Sequence, residues 1–144
     1  MSLAGIRWRV VVDTNVLISG LLFGGKPAAI LDLALGQAFV LLTSPVMEIE
    51  LIRVLTRKFN VSNAGVTGIV ALIRSTSESI RTETKLLLCR DESDNRILEC
   101  ALEGDAGFIV TGDNDLLSLS PFPHSVILRP DEFLTRFYAA HPGL

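Results

Sequence analysis

Four acidic residues, Asp13, Glu50, Asp94 and Asp113, stand where a carboxylate does more than keep a surface wet. Asp13 ends the apolar run Val10-Val11-Val12, and Asp113 closes a second run after Ile109-Val110-Thr111-Gly112. Asp94 lies three and four residues ahead of Ile97 and Leu98, so it extends a helical apolar stripe toward its N-terminus. Glu50 is three residues after Met47 and four before Val54, on another stripe, where a carboxylate is costly unless paired or metal-bound. Two unit charges about 4 Å apart at an effective dielectric near ~20 repel by ~4 kcal/mol. A fold that gathers such groups at one edge needs a cation there. Hard oxygen ligands select Mg²⁺ or Mn²⁺, and the chemistry such a centre serves is phosphodiester hydrolysis.

Each acid also has a plainer reading. Asp13-Thr14-Asn15 suits a helix N-cap, although Thr14 and Asn15 are equally able to hold the Asp13 carboxylate or a water. Glu50 has Arg53 three residues on as an ion-pair partner. Asp91-Glu92-Ser93-Asp94-Asn95 complements a helix dipole, with Asp91 as its cap or as a support for the site. Thr111-Gly112-Asp113-Asn114-Asp115 is an ordinary turn composition. The site reading gains from coincidence, because all four acids are separately expected at one rim of one sheet.

The elements that must position them alternate along the chain. Strands are expected over residues 8–12, 39–43, 79–84, 107–111 and 125–128. Helices are expected over 16–23, 28–35, 45–58, 64–75, 93–103, 114–119 and 130–139, with Ser44-Pro45 as a helix start. Short apolar strands alternating with helices imply βαβ units and a parallel sheet covered on both faces. In such sheets ligands bind beyond the carboxyl ends of the strands, where Asp13 and Asp113 belong.

Composition narrows the classes. At 144 residues with 49% apolar and 20% charged residues, the chain can bury a real core, and one domain spanning 1–144 is expected. A net charge of −3 argues against a protein that coats nucleic acid through bulk positive charge. Cys89 and Cys100 lack CxxC spacing, and His124 and His141 form no zinc pattern. No apolar run approaches a membrane span, and Arg7 and Arg9 precede too short an apolar run for a signal, so a cytoplasmic protein without membrane contact is expected. Gly20 to Lys26 nearly spells a phosphate-binding loop. Pro27 replaces its hydroxyl residue, so residues 24–27 read as a helix-breaking turn in which Lys26 is a candidate contact to substrate phosphate.

The run Val10 to Ile18, the stretch from Ser44-Pro45 through Glu50-Leu51 to Val54-Leu55, the segment Asp91 to Glu99 and the run Ile109 to Asp113 together resemble the PIN-domain nuclease family, in particular its bacterial toxins of toxin–antitoxin pairs. The resemblance extends over about residues 7–133. It implies a three-layer α/β/α sandwich with a central parallel sheet and Mg²⁺- or Mn²⁺-dependent cleavage of single-stranded RNA. It also implies metal binding by Asp13, Glu50, Asp94 and Asp113, with Asp115 as a candidate fifth ligand and Thr111 as a hydroxyl near the site. A small antitoxin partner and a homodimer or higher homo-oligomer follow from the same resemblance. Arg53, with Arg57 and Lys58 beyond it, is a candidate to hold RNA phosphates, and a solvated helix end that complements the dipole explains the same cations equally well. Two rivals stand beside this reading. One is an RNA- or antitoxin-binding module with negligible turnover. The other is an Asp-based phosphatase, disfavoured because Asn15 occupies the place of its second Asp.

Overall fold

The computed structural model describes residues 6–144. Its centre is a five-stranded parallel sheet made of β1 (Arg9–Val12), β2 (Val40–Thr43), β3 (Ser77–Ser79), β4 (Phe108–Val110) and β5 (Val126–Leu128), in the order β3-β2-β1-β4-β5. Among the described residues seven helices connect and cover it: α1 (Thr14–Leu22), α2 (Gly25–Leu35), α3 (Pro45–Arg57), α4 (Asn63–Thr76), α5 (Glu92–Glu103), α6 (Asn114–Leu117) and α7 (Pro130–Ala140). This is the expected α/β/α sandwich.

Strand alternation sorts the two cores. Val10 and Val12 face α1, α2, α4 and α7, joined there by Leu41 and Val110. Val11, Leu42, Ile109 and Ile127 face the opposite way, onto α5 and α6. The register explains the sorting: Val10 lies beside Leu41, Val11 beside Leu42 and Ile109, and Val12 beside Val110. Helix α3 straddles one edge, giving Leu51 and Leu55 to the first core and Met47 to the second. The chain winds outward from β1 in both directions, so the gap between the carboxyl ends of β1 and β4 is the topological switch point.

Two expectations are corrected. The break between α1 and α2 is confined to Phe23-Gly24, and Gly25, Lys26 and Pro27 form the first turn of α2 rather than a turn outside it. Gly24 (φ 87°) and Gly25 (φ 70°) take left-handed backbone that only glycine adopts cheaply, and this turns the two helices through 100°. Pro27 costs nothing there, since first-turn N–H groups have no intrahelical partner. The third strand lies at Ser77–Ser79, not at 79–84, and is a polar edge strand paired only with β2. Residues 83–89 instead run along α5. Their backbone N–H groups donate to a row of side chains spaced four apart: Glu103 takes Glu83 and Thr84, Glu99 takes Leu86, and Asn95 takes Leu88 and Cys89. Side chains thus supply what a neighbouring strand would have supplied. Among the described residues no single helix is long and apolar enough to cross a membrane.

Candidate active site

Asp13 follows β1 and caps α1, its Oδ1 accepting the Asn15 N–H at 3.0 Å. Its Oδ2 accepts the Thr111 hydroxyl at 2.7 Å, across the β1–β4 gap. Thr111, fully buried, in turn accepts the Asp113 N–H at 3.0 Å. Asp113 caps α6, its Oδ1 taking the N–H groups of Asp115 and Leu116. The capping reading of Asp13 is therefore correct, Asp113 proves to be a cap as well, and capping does not compete with the site reading. Capping occupies Oδ1 of each carboxylate and fixes its orientation.

Asp94 enters from the third side. Asp91, three residues before Asp94, caps α5 by accepting the Ser93 N–H, and the helix starts at Glu92. Asp94 is then on the buried stripe with Ile97, Leu98 and Ala101, and is 5% exposed. Among the described residues no hydrogen bond or ion pair reaches its carboxylate. Burial first, then the charges of Asp113, Asp91, Asp13 and Asp115, push its pKa up to about 7. Asp13 is raised too, mainly by burial and then by Asp113 and Asp91, against the lowering pull of the Thr111 and Asn15 hydrogen bonds.

These residues line one open cleft of about 240 Å³. Asp13, Thr14, Asn15, Glu50, Arg53, Asp94 and Asp113 all face it, so most of the sequence-predicted set is gathered there. Thr111 sits behind Asp13 as its hydrogen-bond donor. Lys26 does not line the cleft; it is exposed in the first turn of α2. Asp115 also lies outside the lining, and its carboxylate is held by Arg90 at 3.0 Å. Glu50 lines the cleft but is paired with Arg53 at 3.1 Å, as its plainer reading anticipated.

The sequence reading missed Arg90 and Arg96. Arg90 precedes the acidic run and closes over Asp115. Arg96 lines the cleft and is paired at 2.9 Å with Glu99, which is buried to 2% exposure. That pair lacks hydrogen-bond geometry, leaving the Arg96 Nε unsatisfied, although the guanidinium also donates to the Leu86 carbonyl. A cation immediately ahead of, or within, an acidic helix start was the available signal. The rim above the acids is apolar, with Val46 and Ile49 exposed on α3.

Among the described residues no three His, Cys, Asp or Glu side chains stand close enough to hold a metal ion as placed. The donor chemistry nonetheless suits a hard divalent cation. The cleft presents the carboxylates of Asp13, Glu50, Asp94 and Asp113, and among the described residues the buried Asp94 has no ion-pair partner.

Comparison with known proteins agrees with this arrangement. The family model described as PIN domain matches residues 9–115. An uncharacterized protein of Methanocaldococcus jannaschii is 34% identical over 145 aligned residues, covering 92% of this chain and 93% of that protein. Among solved structures, PAE2754 from Pyrobaculum aerophilum is similar with a TM-score of 0.60 at 13% identity, over 92% of this chain and 90% of that one. VapBC2 from Rickettsia felis, solved with a DNA fragment from its promoter, is similar with a TM-score of 0.58 at 14% identity, over 84% of this chain and 98% of that one. At such identities the two structures speak to fold.

Proposed function

The chain belongs to the PIN-domain family, and we propose that it is a Mg²⁺- or Mn²⁺-dependent endoribonuclease that hydrolyses single-stranded RNA. PIN domains are generally nucleases and generally use divalent metal ions. The observation that carries the proposal is Asp94, a buried carboxylate with no hydrogen bond and no ion pair among the described residues, facing other acids at the switch point. An arrangement that raises its own repulsion is hard to explain by stability and simple to explain by a cation that joins it.

Asp13, Asp94 and Asp113 would hold that ion, and the chemistry it supplies is activation of water and stabilisation of charge developing on the phosphoryl oxygens. Asn15 and Thr111 keep the Asp13 carboxylate in one orientation through their two hydrogen bonds. Glu50 and Asp115 are held through one oxygen each by Arg53 and Arg90, so full engagement of either carboxylate with the ion would release its arginine. A released Arg53 guanidinium, already more than half exposed, is then free to take a substrate phosphate. Thr14 and Asn15 offer polar contacts to the substrate at the cleft wall. In the cell we assign the protein to the cytoplasm, as the toxin partner of a small antitoxin and as a homodimer or higher homo-oligomer.

A second reading, an RNA- or antitoxin-binding module with negligible turnover, draws on the Glu50–Arg53 pair, which keeps one candidate ligand from the ion. One experiment separates the two. A labelled single-stranded RNA of mixed sequence is incubated with Mn²⁺, with EDTA, and with Mn²⁺ and the Asp94→Asn variant. Cleavage only in the first tube, with the variant slower by at least about 100-fold, supports the nuclease. RNA that is bound yet intact in every tube moves the assignment to the binding module.

A further inference from the structure

At the far end of α1 and α3 lies a feature that the cleft chemistry does not use. Phe23, at the C-cap of α1, is 70% exposed, and its ring meets that of Phe59 edge to face, with centroids 5.7 Å apart at 63°. Phe59 is half-buried and packs on the core, so it anchors the exposed ring. The Lys58 ammonium lies 5.6 Å from the Phe59 centroid. A lone exposed apolar residue needs no explanation. A rigid, paired aromatic beside cations, on a chain whose net charge is −3, does.

The cations connect this corner to the cleft. Glu50, Arg53 and Arg57 follow one another at spacings of three and four, which places them on one face of α3. Glu50 and Arg53 line the cleft, while Arg57 and Lys58 are exposed beyond it. At ~1.5 Å per residue, Arg57 lies about 6 Å along the helix axis from Arg53, and Phe59 follows directly after the C-cap Lys58. Lys26 stands three residues beyond Phe23, exposed at the start of α2. Positive groups that track a backbone and end on an open aromatic face are the two parts of a sequence-tolerant single-strand site.

We propose that the Phe23–Phe59 pair is a base-stacking platform for single-stranded nucleic acid, whose phosphates run from the cleft along Arg53, Arg57 and Lys58. The platform rests on the ribonuclease reading and adds a binding subsite outside the cleft. It would let the protein hold a strand by a segment it does not cut, and would favour substrates long enough to reach Phe23.

The test uses the Asp94→Asn protein with Mn²⁺, in which cleavage is silenced, and fluorescence anisotropy of labelled single-stranded RNAs of roughly 4 and roughly 16 nucleotides, the ends of the range such sites cover. The expected result is that Phe23→Ala weakens the longer RNA by about tenfold, the loss of one stacked base, and leaves the shorter unchanged. Phe23→Trp should restore the affinity, and the melting temperature should stay put because the ring is exposed. Unchanged affinity of Phe23→Ala for the longer RNA overturns the platform alone. Failure of the parent protein to bind either RNA overturns the ribonuclease reading and the platform with it. If Phe23→Ala instead converts a dimer to a monomer in sedimentation without altering RNA affinity, the ring belongs to a second copy and the platform is wrong.

Discussion

The two ends of the sheet are built on opposite principles. At the amino end, Trp8, Phe39, Phe108, Phe133 and Phe137 interlock with centroids 4.4 to 6.1 Å apart, and His141 stacks on Phe137 at 4.0 Å. Phe39, Phe133 and Phe137 are fully buried, so every contact there favours the folded state. At the carboxyl end, Asp13 and Asp94 are buried among like charges, with raised pKa values and with hydrogen bonds to Asp13 alone. The contrast teaches where each end draws its stability. Aromatic packing at one end offsets electrostatic tension at the other.

The largest test of this contrast is to cut into the stabilising end. Phe137→Ala should lower unfolding free energy by about 3–5 kcal/mol in urea titration. It should leave cleavage per folded molecule intact below the transition. A variant that is stable but inactive would show that the two ends are not separable.

Thr111→Val probes the link that holds the acidic end in place. It strips the buried Asp13 Oδ2 of its donor and the half-buried Asp113 N–H of its acceptor. A loss of about 1–3 kcal/mol is expected, since buried groups are left unpaired. The Asp13 carboxyl should also titrate higher by NMR, because the lowering bond is gone. An unmoved Asp13 would mean that the hydroxyl does not tune it.

The smallest effect is also the most diagnostic. Burial and the neighbouring carboxylates push the Asp94 pKa up to about 7 in the folded chain, from an ordinary value of 3.8. Between those pH values the unfolded chain has lost the proton and the folded one retains it, so stability falls as pH rises and the full penalty stands above pH 7. In a chelator, Asp94→Asn should therefore melt higher than the parent at pH 8 by about 1–2 kcal/mol, after discounting for solvent at the cleft mouth. The gain should shrink toward pH 4. Adding Mn²⁺ should reverse the order by stabilising the parent more. A gain independent of pH would detach it from the Asp94 charge.

Much of this molecule is legible in its residues. β1, β2, β4 and β5 are apolar runs bounded by turn residues, and α3 and α5 carry strong stripes behind Ser44 and Asp91 caps, so local patterning and global burial agree. Asp94 is readable for the same reason, because a carboxylate in register with Ile97 and Leu98 has nowhere to go but inward. β3 is not legible in this way. Ser77-Glu78-Ser79 is polar, and it becomes a strand because β2 offers an open edge and Arg9 reaches across to Glu78. Nor does periodicity reveal that Glu99 is buried, since its role is to receive the N–H of Leu86 from a loop thirteen residues back.

The sequence by itself thus determined the elements, their order and which acids lie at strand ends or on buried stripes, since these depend on neighbours three to four residues away. The tertiary structure decided the partners. It placed the Thr111 hydroxyl on Asp13, 98 residues away, tied Asp115 to Arg90, left Asp94 without a cation, and set Phe23 against Phe59. Those pairings arise where separate elements meet at the sheet edge, and the angle and register of that meeting exist only once the cores on both faces have closed.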